Sequence, residues 1–322
     1  MSLSVEGLQR EAGRTGFRPE MLEKVHRLLD LLEAIRRHPY LKSRVVLKGG
    51  TALNLFVFDV PRLSVDIDLN YIGALDRETM IAERPALERA IEAVAGRLGL
   101  ALQRAPEEAH AGGKWRLRYE SVLGQGGTLE LDINYMYRVP LWPSSLLDSP
   151  LVGSRQVHGI PVLDVHELAG GKLAALLARG ASRDLFDTHY LLTNHSLDVS
   201  TLRAAFVLYG AMNRRDWRQV TVDDVRIEAR ELRNQLIPVL SGDALAGMTG
   251  TEAWAKKLVG ECKDALSMVL PFTDAECEFL DRILDHGEIR AEVLGLDQRL
   301  TALVQSHPAL LWKAHNARGN VL

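Results

Sequence analysis

An α+β fold, a small mixed sheet with helices followed by a helical half, is what this sequence predicts, on three observations. An apolar run at Val45 to Leu47 stops at Gly49-Gly50, as a buried strand ending in a glycine turn does. Three later runs alternate apolar and polar residues with period two. From Val165 onward the apolar spacing is almost entirely helical, with turns near Gly180, Asn194, Gly242, Gly250 and Pro271.

Taken in order, Met21 to Arg37 carries apolar positions at helical spacing and is closed by Pro39. After the strand at Val45, Thr51 is placed to cap the helix ALNLFVF. Pro61 ends that unit, and Val65 to Tyr71 (VDIDLNY) begins a strand. Arg77 to Leu98 reads as a long helix. Trp115 to Val122 and Thr128 to Tyr137 form a hairpin across Gly124, Gln125, Gly126 and Gly127. Pro140 to Pro150 reads as a loop or boundary, and Val157 to Leu163 adds one more strand. The chain thus divides into an N-terminal helical segment (1–38) packing on a core (39–164), then a helical domain (165–322). No internal repeat is evident.

The 322 residues suggest two domains. At 47% hydrophobic and 25% charged, the composition excludes extended disorder and leaves enough apolar residues for a sizeable core. No stretch approaches 18 consecutive apolar residues, so no membrane span is expected. Acids occur early in MSLSVEGLQREAG without an apolar signal core, which argues against secretion. Cys262 and Cys277 make neither a disulfide framework nor a zinc spacing, so a reduced, cytoplasmic location is expected. The net charge of -3 argues against a dedicated duplex DNA binder but leaves room for a local basic patch.

The chemistry concentrates in LKGGTALNLFVFDVPRLSVDIDL, Leu47 to Leu69. Asp66 and Asp68 lie two apart on a strand, so both carboxylates leave the same face. Two adjacent carboxylates are costly when partly buried unless a cation lies between them, and hard oxygen donors favour Mg2+ or Mn2+. Gly49 and Gly50 let the backbone approach a phosphate, and Thr51 adds a hydroxyl at the same place. A lone Gly-Gly is only a turn, and a lone Asp-x-Asp is usually a solvated strand face. Strand, Gly-Gly-Thr, helix and Arg-x-Ser-x-Asp-x-Asp in this order form a much rarer pattern.

A third carboxylate is expected on TLELDINYMY, where Glu130 and Asp132 share a face. Asp132 is favoured as a metal ligand, whereas Glu130 reads equally as an ordinary strand acid. In the helical half, Lys172 and Arg179 are seven apart and share a helix face. Gly180 ends that helix, Ser182 is placed to cap the next, and Arg183, Asp184 and Asp187 occupy its first turns. Lys172 is expected to neutralise phosphate charge. Lys114, Arg116 and Arg118 alternate with Trp115, Leu117 and Tyr119 as a basic strand face, and Arg214, Arg215 and Arg218 flank Trp217. Either group suits a polyphosphate backbone or a stacked base, although charged surface is the commoner explanation. No HExxH, Gly-x-Ser-x-Gly or Walker-type motif is present.

Lys48 to Leu53 (KGGTAL), Arg62 to Asp68 (R-x-S-x-D-x-D) and Lys172 to Asp187 together resemble the AbiEii/AbiGii toxin nucleotidyltransferases, a group that includes the mycobacterial MenT toxins. The resemblance spans about 140 residues, Lys48 through Asp187. It implies a DNA polymerase β-like nucleotidyltransferase core with a helical C-terminal part, and metal-dependent transfer of a nucleoside monophosphate from an NTP. It matches Gly49, Gly50 and Thr51 to the turn that grips the triphosphate, Asp66 and Asp68 to the metal pair, and Lys172 to the functional lysine; Lys48, Arg62, Ser64 and Arg179 are further candidate nucleotide contacts, and Asp132 is the candidate third metal ligand. Many relatives have Gly-Ser where this chain has Gly50-Thr51. The family's functional aspartate corresponds to Asp184 or Asp187; the spacing does not choose. Family members are toxins of toxin-antitoxin or phage-defence systems, and several extend the 3' end of tRNA, blocking aminoacylation. A tRNA acceptor and a cognate antitoxin encoded nearby are therefore the expected partners. The alternatives are transfer of AMP to a protein hydroxyl by the same site, and a non-catalytic nucleotide- or partner-binding module.

Overall fold

The computed structural model describes residues 3–105, 112–124, 126–246 and 248–319; Gln125 of the expected hairpin turn lies outside them. In chain order the elements are α1 (Val5–Thr15), α2 (Pro19–Arg37), β1 (Val45–Lys48), α3 (Gly49–Ala52, continuing as a π-helix over Leu53–Val57), β2 (Asp66–Tyr71), α4 (Arg77–Arg97), β3 (Ala101–Arg104), β4 (Gly112–Tyr119), β5 (Gly127–Asn134), β6 (Ser145–Leu147) and β7 (Ile160–Val162). The later helices are α5 (Val165–Arg179), α6 (Ser182–Asn194), α7 (Val199–Ala211), α8 (Ala229–Glu231), α9 (Gly242–Leu245), α10 (Thr251–Ala265), α11 (Asp274–Asp285), α12 (Gln298–Ser306) and α13 (Pro308–Gly319). The chain forms two units. One comprises Met1–Arg138, Pro143–Leu163 and Ile237–Gly247, the other Val139–Trp142, Asp164–Leu236 and Met248–Leu322.

The first unit is built on a seven-stranded sheet in the order β3-β4-β5-β2-β1-β7-β6. β2–β5 and β1–β7 are parallel pairs and the remaining neighbours are antiparallel, so the sheet is mixed. Period-two alternation explains its core. Ile67, Leu69, Leu129, Leu131, Ile133, Trp115 and Leu117 are buried, while the residues between them are more exposed. α2 lies against β5 and β7 and buries Leu22, Val25, Leu28, Leu29, Leu32 and Ile35. Pro19 at its first position and Arg36 and Arg37 in its last turn suit the helix ends.

Three expectations are corrected. β3 and β6 were not anticipated. β3 is exposed along its length, and β6 falls in the stretch expected to be loop; short edge strands carry too little apolar alternation to stand out. Thr51 does not cap a helix, because the helix already begins at Gly49 with Lys48 at the capping position. Ser182 likewise is the first helical residue of α6 rather than its cap, and its N–H and hydroxyl both donate to Glu231.

In the second unit α5 and α7 pack closely at Gly170, where a Cβ would stand 2.7 Å from the Ala205 backbone. One turn earlier, Glu167 is buried. It accepts hydrogen bonds from the Tyr209 hydroxyl (3.0 Å) and the Leu141 N–H (3.0 Å). Burial pushes its carboxyl up to about 7, against these hydrogen bonds, which favour the ionised form. A raised carboxylate pKa means that the folded chain binds the proton more tightly than the unfolded one. Stability therefore falls as pH rises from the ordinary glutamate value to about 7, by about 3 kcal/mol in all. Denaturation at pH 5 and pH 8 should show this loss in the native protein and not in Glu167→Gln. Equal pH dependence in the two would contradict the assignment.

Candidate active site

Strand register assembles the site in the first unit. Lys48 pairs with Asp68, Asp68 with Asp132, and Asp132 with Lys114. Paired residues on adjacent strands point to one face and lie about 4.8 Å apart, so these four form a line across β1, β2, β5 and β4. A second line, one step along the strands, runs Asp66, Glu130, Arg116 and Arg104. The spacing of Asp66 and Asp68 predicts their shared face, but not which strand lies beside them.

The two candidate acids on β5 differ. Glu130 is held by Lys114 (2.8 Å) and Arg116 (2.9 Å), which keep its carboxyl below the usual glutamate range. Asp132 is pushed up by burial and by the neighbouring Asp68, against Lys48 and Lys114. Electrostatics therefore leave Asp132, rather than Glu130, needing a cation.

Gly49 brings the backbone against this line. Its φ is +72°, and a Cβ there would stand 2.3 Å from Asp68 Oδ2, so only glycine fits. The Thr51 hydroxyl is fully buried and donates to the Asp66 carbonyl. This bond ties the glycine turn to the carboxylate strand. Arg62 and Ser64 are also buried, and Arg62 Nη1 donates to the Leu63 carbonyl at 3.0 Å. A distant segment closes over this loop. Leu63 N–H donates to the Val239 carbonyl, Ser241 N–H to the Pro61 carbonyl, and Arg62 bridges Leu240. No sequence signal marks that pairing.

Asn70 was not anticipated. It follows Asp66 and Asp68 on the same strand face, is fully buried, and among the described residues its side-chain amide has no hydrogen-bond partner. A buried unsatisfied amide costs about 1–3 kcal/mol, which marks the position as a candidate site residue.

The second unit holds the other expected cluster. Lys172 Nζ lies 2.9 Å from Asp184 and 3.0 Å from Asp187, with all three side chains buried. Arg179 Nε reaches the second oxygen of Asp184 at 2.6 Å from an exposed side chain. Gly180 ends α5 with φ +65° and turns the chain so that α6 returns both aspartates to the lysine. Burial opposes ionisation of Asp184, but Lys172 and Arg179 outweigh it and hold its carboxyl below the usual range. Both aspartates contact Lys172, so the geometry, like the spacing, selects neither alone. Trp217 is fully buried, and Arg218 is tied to Asp216, Asp281 and Asp285. That cluster is not a stacking surface.

Among the described residues no group of three or more His, Cys, Asp or Glu forms a ready metal cage. The site nonetheless suits magnesium, which binds one or two carboxylates together with substrate phosphates and water. Asp68 beside Asp132, with the Gly49 backbone pressed against Asp68, is such a donor set.

The sequence pattern described as "Nucleotidyl transferase AbiEii toxin, Type IV TA system" matches residues 30–258, a span that includes both clusters. The chain belongs to the AbiEii nucleotidyltransferase toxin family. It is thus an enzyme of nucleotidyl transfer. The family acts on NTPs, uses divalent metal and is paired with an antitoxin. Among solved structures, the AbiEii chain is similar to MenT4, a nucleotidyltransferase toxin from Mycobacterium tuberculosis H37Rv. The TM-score is 0.63 at 19% identity, covering 96% of this chain and 99% of that one, a likeness of fold. No curated protein matches the sequence. No helix among the described residues is long and apolar enough to cross a membrane.

Proposed function

We propose that this AbiEii enzyme transfers a nucleoside monophosphate from an NTP to the 3' end of a tRNA in the cytoplasm, with magnesium as its metal and a cognate antitoxin opposing it. The observation that carries the reading is the Asp68–Asp132 pair with the Gly49 turn packed against it. Asp66 and Asp68 are the proposed metal ligands, with Asp132 completing one site. When bound, the metal activates the attacking hydroxyl and offsets charge on the departing pyrophosphate. Asp132, paired with Asp68 in the sheet, is also proposed to take the proton of that hydroxyl. The amides of Gly49 and Gly50 are proposed to hold the β and γ phosphates, with Lys48 adding charge beside them. Lys172, positioned by Asp184 and Asp187, is proposed to neutralise phosphate charge, with Arg179 assisting.

The test is incubation of each α-labelled NTP with total tRNA and, separately, with cell protein, in magnesium and after chelation. Label entering tRNA only with metal is the expected result. Label entering only protein would reject the tRNA acceptor, and transfer that survives chelation would reject the metal ligands.

A further inference from the structure

The basic face of β4 continues the carboxylate lines to the edge of the sheet. Lys114, Arg116 and Arg118 are exposed on that face, while Trp115, Leu117 and Tyr119 are buried on the other. On the edge strand, a register shift after Leu102 brings Arg104 opposite Arg116, so two like charges face each other. Such pairs destabilise a sheet, and here one carboxylate, Glu130, serves both Lys114 and Arg116. Alternate residues of a strand stand about 6.7 Å apart, close to the span of one nucleotide in an extended backbone. The stripe therefore offers a row of cations at the repeat of a polyphosphate.

The order of strands decides which polyphosphate fits. The glycine turn follows β1, the carboxylates lie on β2 and β5, and the basic stripe lies on β4 and β3. In-line displacement puts the leaving pyrophosphate and the attacking hydroxyl on opposite sides of the reacting phosphorus. With the NTP phosphates at the β1 side, the acceptor must arrive from the β4 side. We infer that Arg104, Arg116 and Arg118 form the docking stripe for the phosphate backbone of a single-stranded RNA end. This inference rests on the proposed RNA acceptor and says where that acceptor binds.

Binding and turnover test it separately. Arg116→Gln/Arg118→Gln should bind labelled total tRNA about tenfold more weakly than the native enzyme, and the slope of log affinity against log salt should flatten by about 1.4. In the transfer assay the KM for tRNA should rise while the KM for NTP stays unchanged. Arg118→Glu, which leaves the Glu130 pairs intact, should weaken tRNA binding further, with an unaltered melting temperature as the check on folding. An unchanged salt slope and tRNA affinity would overturn the stripe. A rise in the NTP KM alone would overturn it too, by assigning these arginines to the triphosphate. The binding titration decides even if transfer to tRNA itself is never found.

Discussion

Asp68→Asn is expected to lower nucleotidyl transfer by about three orders of magnitude or more while the protein melts at or above the native temperature. The asparagine is nearly isosteric, so the strand, the Gly49 contact and the β1–β2 pairing are retained. What disappears is one of two negative charges held side by side in register, and with it the pressure that raises Asp132. Losing a metal-directed carboxylate forfeits several kcal/mol of transition-state stabilisation, which sets the size of the effect. Asp66→Ala should abolish transfer as well. Steady-state transfer from labelled NTP, with calorimetric melting on the same samples, measures both. Retained activity would remove these carboxylates from the reaction. A lower melting temperature would mean that the line from Lys48 through Asp68 stabilises the fold more than its like charges strain it.

The second large effect separates charge from fold. Lys172→Ala leaves Asp184 and Asp187 buried without their shared cation, a change expected to cost about 3–5 kcal/mol of stability as well as activity. Lost turnover in that variant alone is therefore ambiguous. Lys172→Met/Asp184→Asn/Asp187→Asn removes the cluster together and should recover most of the stability, because a neutral packed set avoids the desolvation cost. Activity should stay lost if Lys172 serves the phosphates. A triple variant that folds and regains transfer would make the cluster purely structural. The native cluster should also weaken in acid. Asp184 is ionised below the ordinary aspartate range, so its contribution is present above the unfolded value and is lost as pH falls through the lower folded one.

Much of this architecture is legible from residue order. The glycine turn after an apolar run, the alternation of VDIDLNY and TLELDINYMY, and the helical spacing after Val165 each report a local period. The resemblance of those motifs to the AbiEii family is likewise carried by a few residues at set spacing, and the family match covers them. Edge strands β3 and β6 escaped because they are short and bury little. The burial of Thr51, Arg62 and Ser64 is not legible from a motif, which names residue types alone. Each is buried, and Thr51 and Arg62 donate to nearby carbonyls.

By itself, then, the sequence determined the central strands, the paired aspartates on one strand face and the lysine helix, since helical and strand periods are local properties of the chain. Tertiary structure alone decided which strands became neighbours. It set Asp68 beside Asp132 and Asp66 beside Glu130, aligned Arg104 with Arg116, and brought Val239 to Ser241 onto Pro61 to Leu63. Those contacts join residues far apart along the chain, through hydrogen-bond register and burial, and no local spacing encodes them.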